Sequence, residues 1–229
     1  MKTNPTKTKL ITFISLILSG IVAFAAPAPI DVSHYTAPIR VACVGDSITA
    51  GAGAEGKPYP KQLQALLGDK WLVNNYGVGG RTLLKKGDHP YWIEKNFTFA
   101  HDFKPDVVII MLGTNDTKAQ NWVHEDELSA DYKDLIESFK NLDSKPRIFI
   151  CRPCPVVGAG KYGINEANLD IEIPVIDKVA ADEGVDEIDM HAALPGNTAT
   201  QPDNVHPNAA GSALMAQAAA NALTGKTTP

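Results

Sequence analysis

One stretch constrains the fold more than any other: residues 107–112 read VVIIML, six consecutive apolar side chains. The run is short for a helix and lacks the polar alternation of a strand with one solvated face, so it predicts a strand buried on both sides. Such strands belong to parallel sheets that are covered by helices on both faces. We therefore expect this segment to be a central strand of an α/β domain.

The rest of the chain alternates short apolar runs with longer amphipathic segments, which is typical of strands joined by crossover helices. The predicted strands are residues 39–44, 72–76, 106–112, 147–151 and 185–188. The predicted helices are residues 59–67, 126–142, 165–183 and 208–223. These elements make one domain, a three-layer α/β/α sandwich with about five parallel strands.

The N-terminal segment has the pattern of a signal peptide. Lys2, Lys7 and Lys9 precede a mostly apolar stretch, residues 10–24, and small residues follow at 23–26 (AFAA). A membrane anchor is the alternative, but the apolar run is short for a span and contains polar residues. We expect residues 1–26 to be removed, which predicts a secreted or periplasmic protein without membrane attachment. A 27–38 extension, the 39–224 domain and a 225–229 tail would remain.

Charge and cysteine content narrow the function further. Loss of the three N-terminal lysines and no acid changes the formal net charge from −5 to −8. That balance argues against a nucleic-acid partner, whose phosphates require clustered Lys and Arg. Cys43 lies in an apolar run and is expected in the core. Cys151 and Cys154 form a C-x-x-C between prolines, for which a structural role and a local disulfide both stay open.

Polar residues follow the first predicted strand and precede the last predicted helix. Residues 45–49 (GDSIT) place Ser47 just after a strand, where α/β sheets present groups to ligands. A serine nucleophile needs a base and a group that orients the base. Residues 203–206 (DNVH) supply both, because Asp203 and His206 are close enough in sequence to pair on one turn. The sequence thus offers a Ser47–His206–Asp203 triad.

Two further segments supply donors for the oxyanion that forms during attack on an acyl carbonyl. They follow the second and third strands, at residues 77–80 (GVGG) and 113–116 (GTND). The remaining histidines have no metal-ligand spacing, so neither a metal nor another cofactor is expected.

These four ordered segments resemble those of the SGNH (GDSL-type) hydrolase family, which carry serine, glycine, asparagine and histidine in turn. The resemblance covers nearly the whole mature chain and implies a flavodoxin-like strand order. It implies an oxyanion hole made by the backbone N–H groups of Ser47 and Gly80 and the amide of Asn115. Ile48 stands where leucine gives the family its older name, and the pair Gly79-Gly80 leaves open which N–H faces the oxyanion.

The substrate is predicted from the loops and from the resemblance. The loops around Trp92 and Trp122 are polar with occasional aromatics, which suits a sugar, and either indole could stack on a sugar ring or anchor its own loop. With export and the likeness to bacterial members that act on polysaccharides, this favours a carbohydrate O-acetylesterase. The alternatives are a lysophospholipase or thioesterase, which needs an apolar groove at Ser47, and a non-catalytic carbohydrate-binding protein on the same fold.

Overall fold

The computed structural model describes residues 27–226, so the predicted signal peptide, residues 1–26, lies outside the described residues, as do residues 227–229. A five-stranded parallel sheet in the order β2-β1-β3-β4-β5 forms its centre. The strands are β1 Ile39–Gly45, β2 Trp71–Gly77, β3 Val107–Met111, β4 Arg147–Arg152 and β5 Asp186–Asp189. The helices are α1 Ser47–Ala50, α2 Tyr59–Leu67, α3 Lys95–Asp102, α4 Ala119–Trp122, α5 Leu128–Lys140, α6 Glu166–Glu183, α7 Met190–Ala193 and α8 Ala209–Thr224.

The predicted three-layer sandwich is confirmed, with β3 at the centre of the sheet. All five residues of β3 are at most 1% exposed. Burying each Val or Ile side chain stabilises the fold by about 1.5–3 kcal/mol. Along β1, alternate residues pack on opposite sides: Val41 and Cys43 face α2 and α8, whereas Ala42 and Val44 face α3, α5 and α6.

The parallel register brings the carboxyl ends of three strands level. Gly45 of β1 pairs with Gly77 of β2 on one side and with Met111 of β3 on the other. The segments that follow these residues therefore emerge at the same edge of the sheet, and they are the predicted serine, glycine and asparagine segments. This is the edge at which α/β sheets bind ligands.

The predicted 27–38 extension runs beside the last helix. The Ile30 N–H donates to the carbonyl of Leu223 at 2.8 Å, and Arg147 Nη1 donates to the carbonyl of Ala28 at 2.7 Å. Within residues 27–226, no helix is both long and apolar enough to cross a bilayer.

All three cysteines are buried, free thiols. Cys43 and Cys151 lie on strands of the sheet, and Cys154 Sγ lies 3.7 Å from Met215 Sδ. Of the two possibilities that the sequence left open for Cys151 and Cys154, the structure has the thiol form.

Candidate active site

Ser47 begins α1 directly after β1, in a turn that its neighbours fix. Asp46 caps the helix, with its Oδ1 accepting from the Ile48 N–H at 2.9 Å. Glycine is required on both sides of the turn, because a Cβ on Gly45 would overlap Thr49 and one on Gly77 would overlap the backbone of Ala50. This close packing holds Ser47, which is half-buried, at the carboxyl edge of the sheet.

The structure brings the three residues of the predicted triad together. Ser47 Oγ lies 2.9 Å from His206 Nε2, and His206 Nδ1 lies 2.8 Å from Asp203 Oδ2. An ionised carboxylate only accepts hydrogen bonds, so the Nδ1 atom carries the ring proton and Nε2 is left to accept from the Ser47 hydroxyl. This is the arrangement in which an imidazole acts as a general base.

Asp203 is held by backbone as well as by the histidine ring. Its Oδ1 accepts from the N–H groups of His206 at 2.7 Å and Val205 at 3.1 Å. Partial burial raises the pKa of Asp203, but the hydrogen bonds from the His206 ring and from these two backbone groups outweigh it, so the pKa lies below its usual value. The carboxylate is therefore ionised at neutral pH and fixes the ring that it faces.

The predicted oxyanion donors differ in whether their N–H groups are already hydrogen-bonded. No acceptor lies opposite the backbone N–H groups of Ser47, Gly79 or Gly80 among residues 27–226. Gly80 has a φ of +79° with open space at its Cβ position, whereas a Cβ on Gly79 would lie 3.9 Å from Ser47 Cβ. Both glycines thus have a free N–H donor within the described residues, and Gly79 lies beside the serine.

The amide of Asn115 is already engaged. Its Nδ2 donates to Asp46 Oδ2 at 3.2 Å and to the carbonyl of Arg81 at 3.1 Å, and the residue is 2% exposed. A primary amide has two N–H groups. A bond to a reacting oxygen would therefore be shared with one of these acceptors or replace it.

Three buried carboxyl groups lie behind the serine and asparagine segments. Burial raises the pKa of Asp46 to about 6, against the hydrogen bond from Ile48. Burial also raises the pKa of Asp116 to about 7, although this group accepts from the Leu83 and Leu84 N–H groups. Burial, reinforced by the nearby Asp116, raises the pKa of Glu172 well above its usual value, and neither of its oxygens has a hydrogen-bond partner within the described part of the chain.

The structure places the two tryptophans that were predicted to stack on a sugar, Trp92 and Trp122, in different environments. Trp92 donates from Nε1 to the Leu83 carbonyl at 2.7 Å, packs on Phe97, and carries the Lys85 ammonium 4.5 Å from its ring centroid. It therefore anchors its own loop, which was the second of the two possibilities. Trp122 is half-buried at the end of α4.

Sequence reasoning missed the aromatic residue that contacts the triad. The ring of Tyr162 lies 5.8 Å from the His206 ring, centroid to centroid, and the residue is 57% exposed. The signal in the sequence was a lone aromatic within a glycine-rich loop, residues 158–163 (GAGKYG).

Comparison with known proteins identifies the family to which the chain belongs. Residues 43–214, most of the chain, match the GDSL-like lipase/acylhydrolase family. The chain belongs to this family. The predicted resemblance is thereby confirmed. The matched range begins in β1 and ends within α8, so it includes all four predicted segments.

Individual known proteins are similar over most of the chain. An acetylxylan esterase from Xylanibacter ruminicola is 38% identical in an alignment of 207 positions that covers 81% of this chain and 43% of that protein. The chain thus spans less than half the length of this relative. A putative arylesterase from Agrobacterium tumefaciens is 26% identical, with a TM-score of 0.63 over 80% of this chain and 96% of its own. A carbohydrate acetylesterase from Sinorhizobium meliloti shares the fold, with 19% identity and a TM-score of 0.66 over 80% and 97% of the two chains.

Proposed function

We propose that this protein is a serine esterase that removes acetyl or other short acyl groups from a carbohydrate, through an acyl-enzyme on Ser47. The observation that carries the proposal is the pair of hydrogen bonds from Ser47 to His206, at 2.9 Å, and from His206 to Asp203, at 2.8 Å. The acetylxylan esterase that shares 38% of its residues over the aligned region supports the choice of substrate.

In the proposed reaction, Ser47 Oγ attacks the ester carbonyl while its proton passes to His206 Nε2. The C–O bond to the alcohol then breaks, and the leaving oxygen takes that proton. Water enters, gives a proton to the same nitrogen and attacks the acyl carbon. The acid departs as the proton returns to Ser47, so each group ends in its starting state.

The tetrahedral intermediates carry a negative oxygen that needs donors. We assign these to the backbone N–H groups of Ser47 and Gly80 and to the Nδ2 amide of Asn115. The two backbone groups have no competing acceptor in residues 27–226. Asn115 would give up or share its 3.2 Å bond to Asp46, the longer of its two amide bonds. Removing one such donor typically costs about 3 kcal/mol in transition-state stabilisation.

A short acyl group fits the surroundings of the serine. The neighbours of Ser47 and His206 include Gly79 and Gly53, which add no apolar surface for a chain. A cavity of about 480 Å³ with a mixed polar and apolar lining does exist, but it lies between α2, α8 and the N-terminal extension, with Leu67 and Trp71 in its wall and no triad residue. A lysophospholipase or thioesterase would need an apolar groove that reaches Ser47.

The test compares wild type with Ser47→Ala and, as a matched control, Ser33→Ala at an exposed serine of the extension. We expect Ser47→Ala to abolish both acetate release from acetylated xylan and hydrolysis of p-nitrophenyl acetate, while its circular dichroism spectrum stays unchanged. Ser33→Ala should leave both activities and the spectrum unchanged. Full activity of Ser47→Ala would refute the mechanism. A series of p-nitrophenyl esters tests the acyl group, and a preference for chains longer than butyrate would refute the short-acyl proposal.

We also propose that residues 1–26 direct export and are removed, giving a secreted or periplasmic enzyme. Their basic start, apolar stretch and small-residue site support this. N-terminal sequencing of the protein recovered outside the cytoplasm should begin at Pro27. Recovery of the intact N-terminus in the cytoplasmic fraction would refute it.

A further inference from the structure

An exposed aromatic ring borders the proposed triad. Tyr162 is 57% exposed, and its ring is 5.8 Å from the His206 ring at an interplanar angle of 55°. Apolar surface gains free energy by leaving water, so an exposed ring beside the triad offers a face that a bound substrate would bury. The N–H and the ring of Trp92, by contrast, contact residues of its own loop region.

The loop that carries Tyr162 is fixed to two of the site's segments. This β4–α6 loop, residues 153–165, begins after β4 and ends at the cap of α6. The Val157 N–H donates to the carbonyl of Asn204 at 2.8 Å, next to the histidine segment. Asn165 Nδ2 donates to the carbonyl of Thr117 at 3.0 Å, next to the asparagine segment. The loop is therefore tied to the segments that carry His206 and Asn115.

The backbone of Tyr162 is in a conformation that tyrosine seldom adopts. Its φ is +59°, in the left-handed region, between Gly160 at +70° and Gly163 at +82°. For a bulky side chain this conformation costs free energy, and such costs collect at functional positions. The loop thus keeps an unfavourable backbone angle while presenting the ring to solvent.

From these observations we infer that Tyr162 is the stacking surface of a sugar subsite, which holds the pyranose ring that bears the scissile ester. The inference rests on the proposed carbohydrate esterase function. The C–H face of a pyranose packs on the electron-rich face of an aromatic ring. An O-acetyl carbonyl is only a few covalent bonds from the sugar ring that carries it, so a sugar stacked on Tyr162 would hold its ester near Ser47. The Lys161 ammonium lies over one face of the ring, 4.9 Å from its centroid, and adds donors for sugar hydroxyls.

The test measures kcat and KM for wild type, Tyr162→Ala and Tyr162→Trp on two substrates. An acetylated xylo-oligosaccharide has a sugar ring to stack, whereas p-nitrophenyl acetate has none. Phe99→Ala is the matched control, because Phe99 is an aromatic residue of similar exposure, 52%, in the middle of α3. Circular dichroism and Tm verify that each variant is folded.

We expect Tyr162→Ala to lower kcat/KM on the oligosaccharide roughly five- to tenfold, chiefly through KM, and to change p-nitrophenyl acetate hydrolysis by less than about twofold. Tyr162→Trp should retain activity on both substrates, as should Phe99→Ala. An equal loss on both substrates, or no loss on either, would overturn the subsite.

The outcomes also separate this inference from the proposed function. If wild type cleaves the oligosaccharide and Tyr162→Ala cleaves it equally well, only the subsite is wrong. If wild type cleaves p-nitrophenyl acetate but releases no acetate from any acetylated saccharide, the carbohydrate proposal fails, and the subsite fails with it.

Discussion

Glu172 of α6 packs directly against Gly113, the residue that follows Leu112 and opens the asparagine segment. Gly113 has a φ of +118°, and a Cβ built there would overlap Glu172 Oε1. A carboxyl group that is fully buried and without a hydrogen-bond partner in the described residues therefore forms part of the wall behind Asn115. We expect both the stability of the fold and the position of the amide to depend on this contact.

Gly113→Ala should destabilise the protein by about 2–4 kcal/mol, because it combines a positive φ with a steric overlap. Urea unfolding measures the loss. Gly158→Ala is the control, since Gly158 has a φ of +56° but nothing near its Cβ position, and should cost only about 1 kcal/mol. Equal losses in the two variants would mean that the contact with Glu172 contributes nothing.

The buried Glu172 should make stability depend on pH. Burial raises its pKa well above the ordinary 4.5, so the folded state holds a proton that the unfolded state releases above that pH. The stabilisation due to the protonated Glu172 is complete below pH 4.5 and is lost as the pH rises through the folded-state pKa. The raised pKa values of Asp46 and Asp116 change the free energy of unfolding in the same direction.

Glu172→Gln isolates this effect, because glutamine copies the neutral acid in shape. Between pH 5 and 7, the free energy of unfolding should fall with pH less steeply in the variant than in wild type. The two slopes should differ by at most about 1.4 kcal/mol per pH unit. Urea unfolding at four or five pH values measures both slopes. Parallel curves for the two proteins would show that Glu172 is ionised in the folded state.

Asp203→Asn should lower kcat by roughly three to four orders of magnitude with little change in Tm, because an amide no longer fixes the tautomer of His206. Steady-state kinetics on p-nitrophenyl acetate provide the measurement. Asp46→Asn is the comparison, since Asp46 touches the Ile48 N–H and Asn115 rather than the histidine ring. A larger kcat loss in Asp46→Asn than in Asp203→Asn would reassign the orienting acid.

Asn115→Ala should reduce kcat by about two orders of magnitude while KM changes little, because an oxyanion donor acts in the transition state. The exposed Asn141, just after α5, provides the control substitution Asn141→Ala, which should leave both constants unchanged. A variant at position 115 with wild-type kcat would show that the amide serves only to bridge Asp46 and Arg81.

The sheet and the long helices could be predicted because burial and capping dictate them locally. β3 is buried on both faces, so its apolar run was unambiguous. The α6 and α8 helices begin just after Asn165 and Asn208, whose side chains cap them, and these two residues were the predicted starting points. The order of the strands came from the resemblance to a family, since periodicity does not determine which strands are neighbours.

What could not be predicted depends on tertiary contacts. The connection 77–104 contains α3, which has a single fully buried residue, Ala100, and hence only a weak apolar pattern in the sequence. Glu172 falls inside a correctly predicted helix, but nothing local distinguishes a buried glutamate from a solvated one. The position of Tyr162 beside His206 follows from bonds between loops that are far apart in sequence.

The bond between Ser47 and His206 joins residues that are 159 positions apart. In the proposed mechanism, a partly synthesised chain therefore has its hydroxyl long before it has its base. We expect ester cleavage to begin only once residues 203–206 have joined the fold.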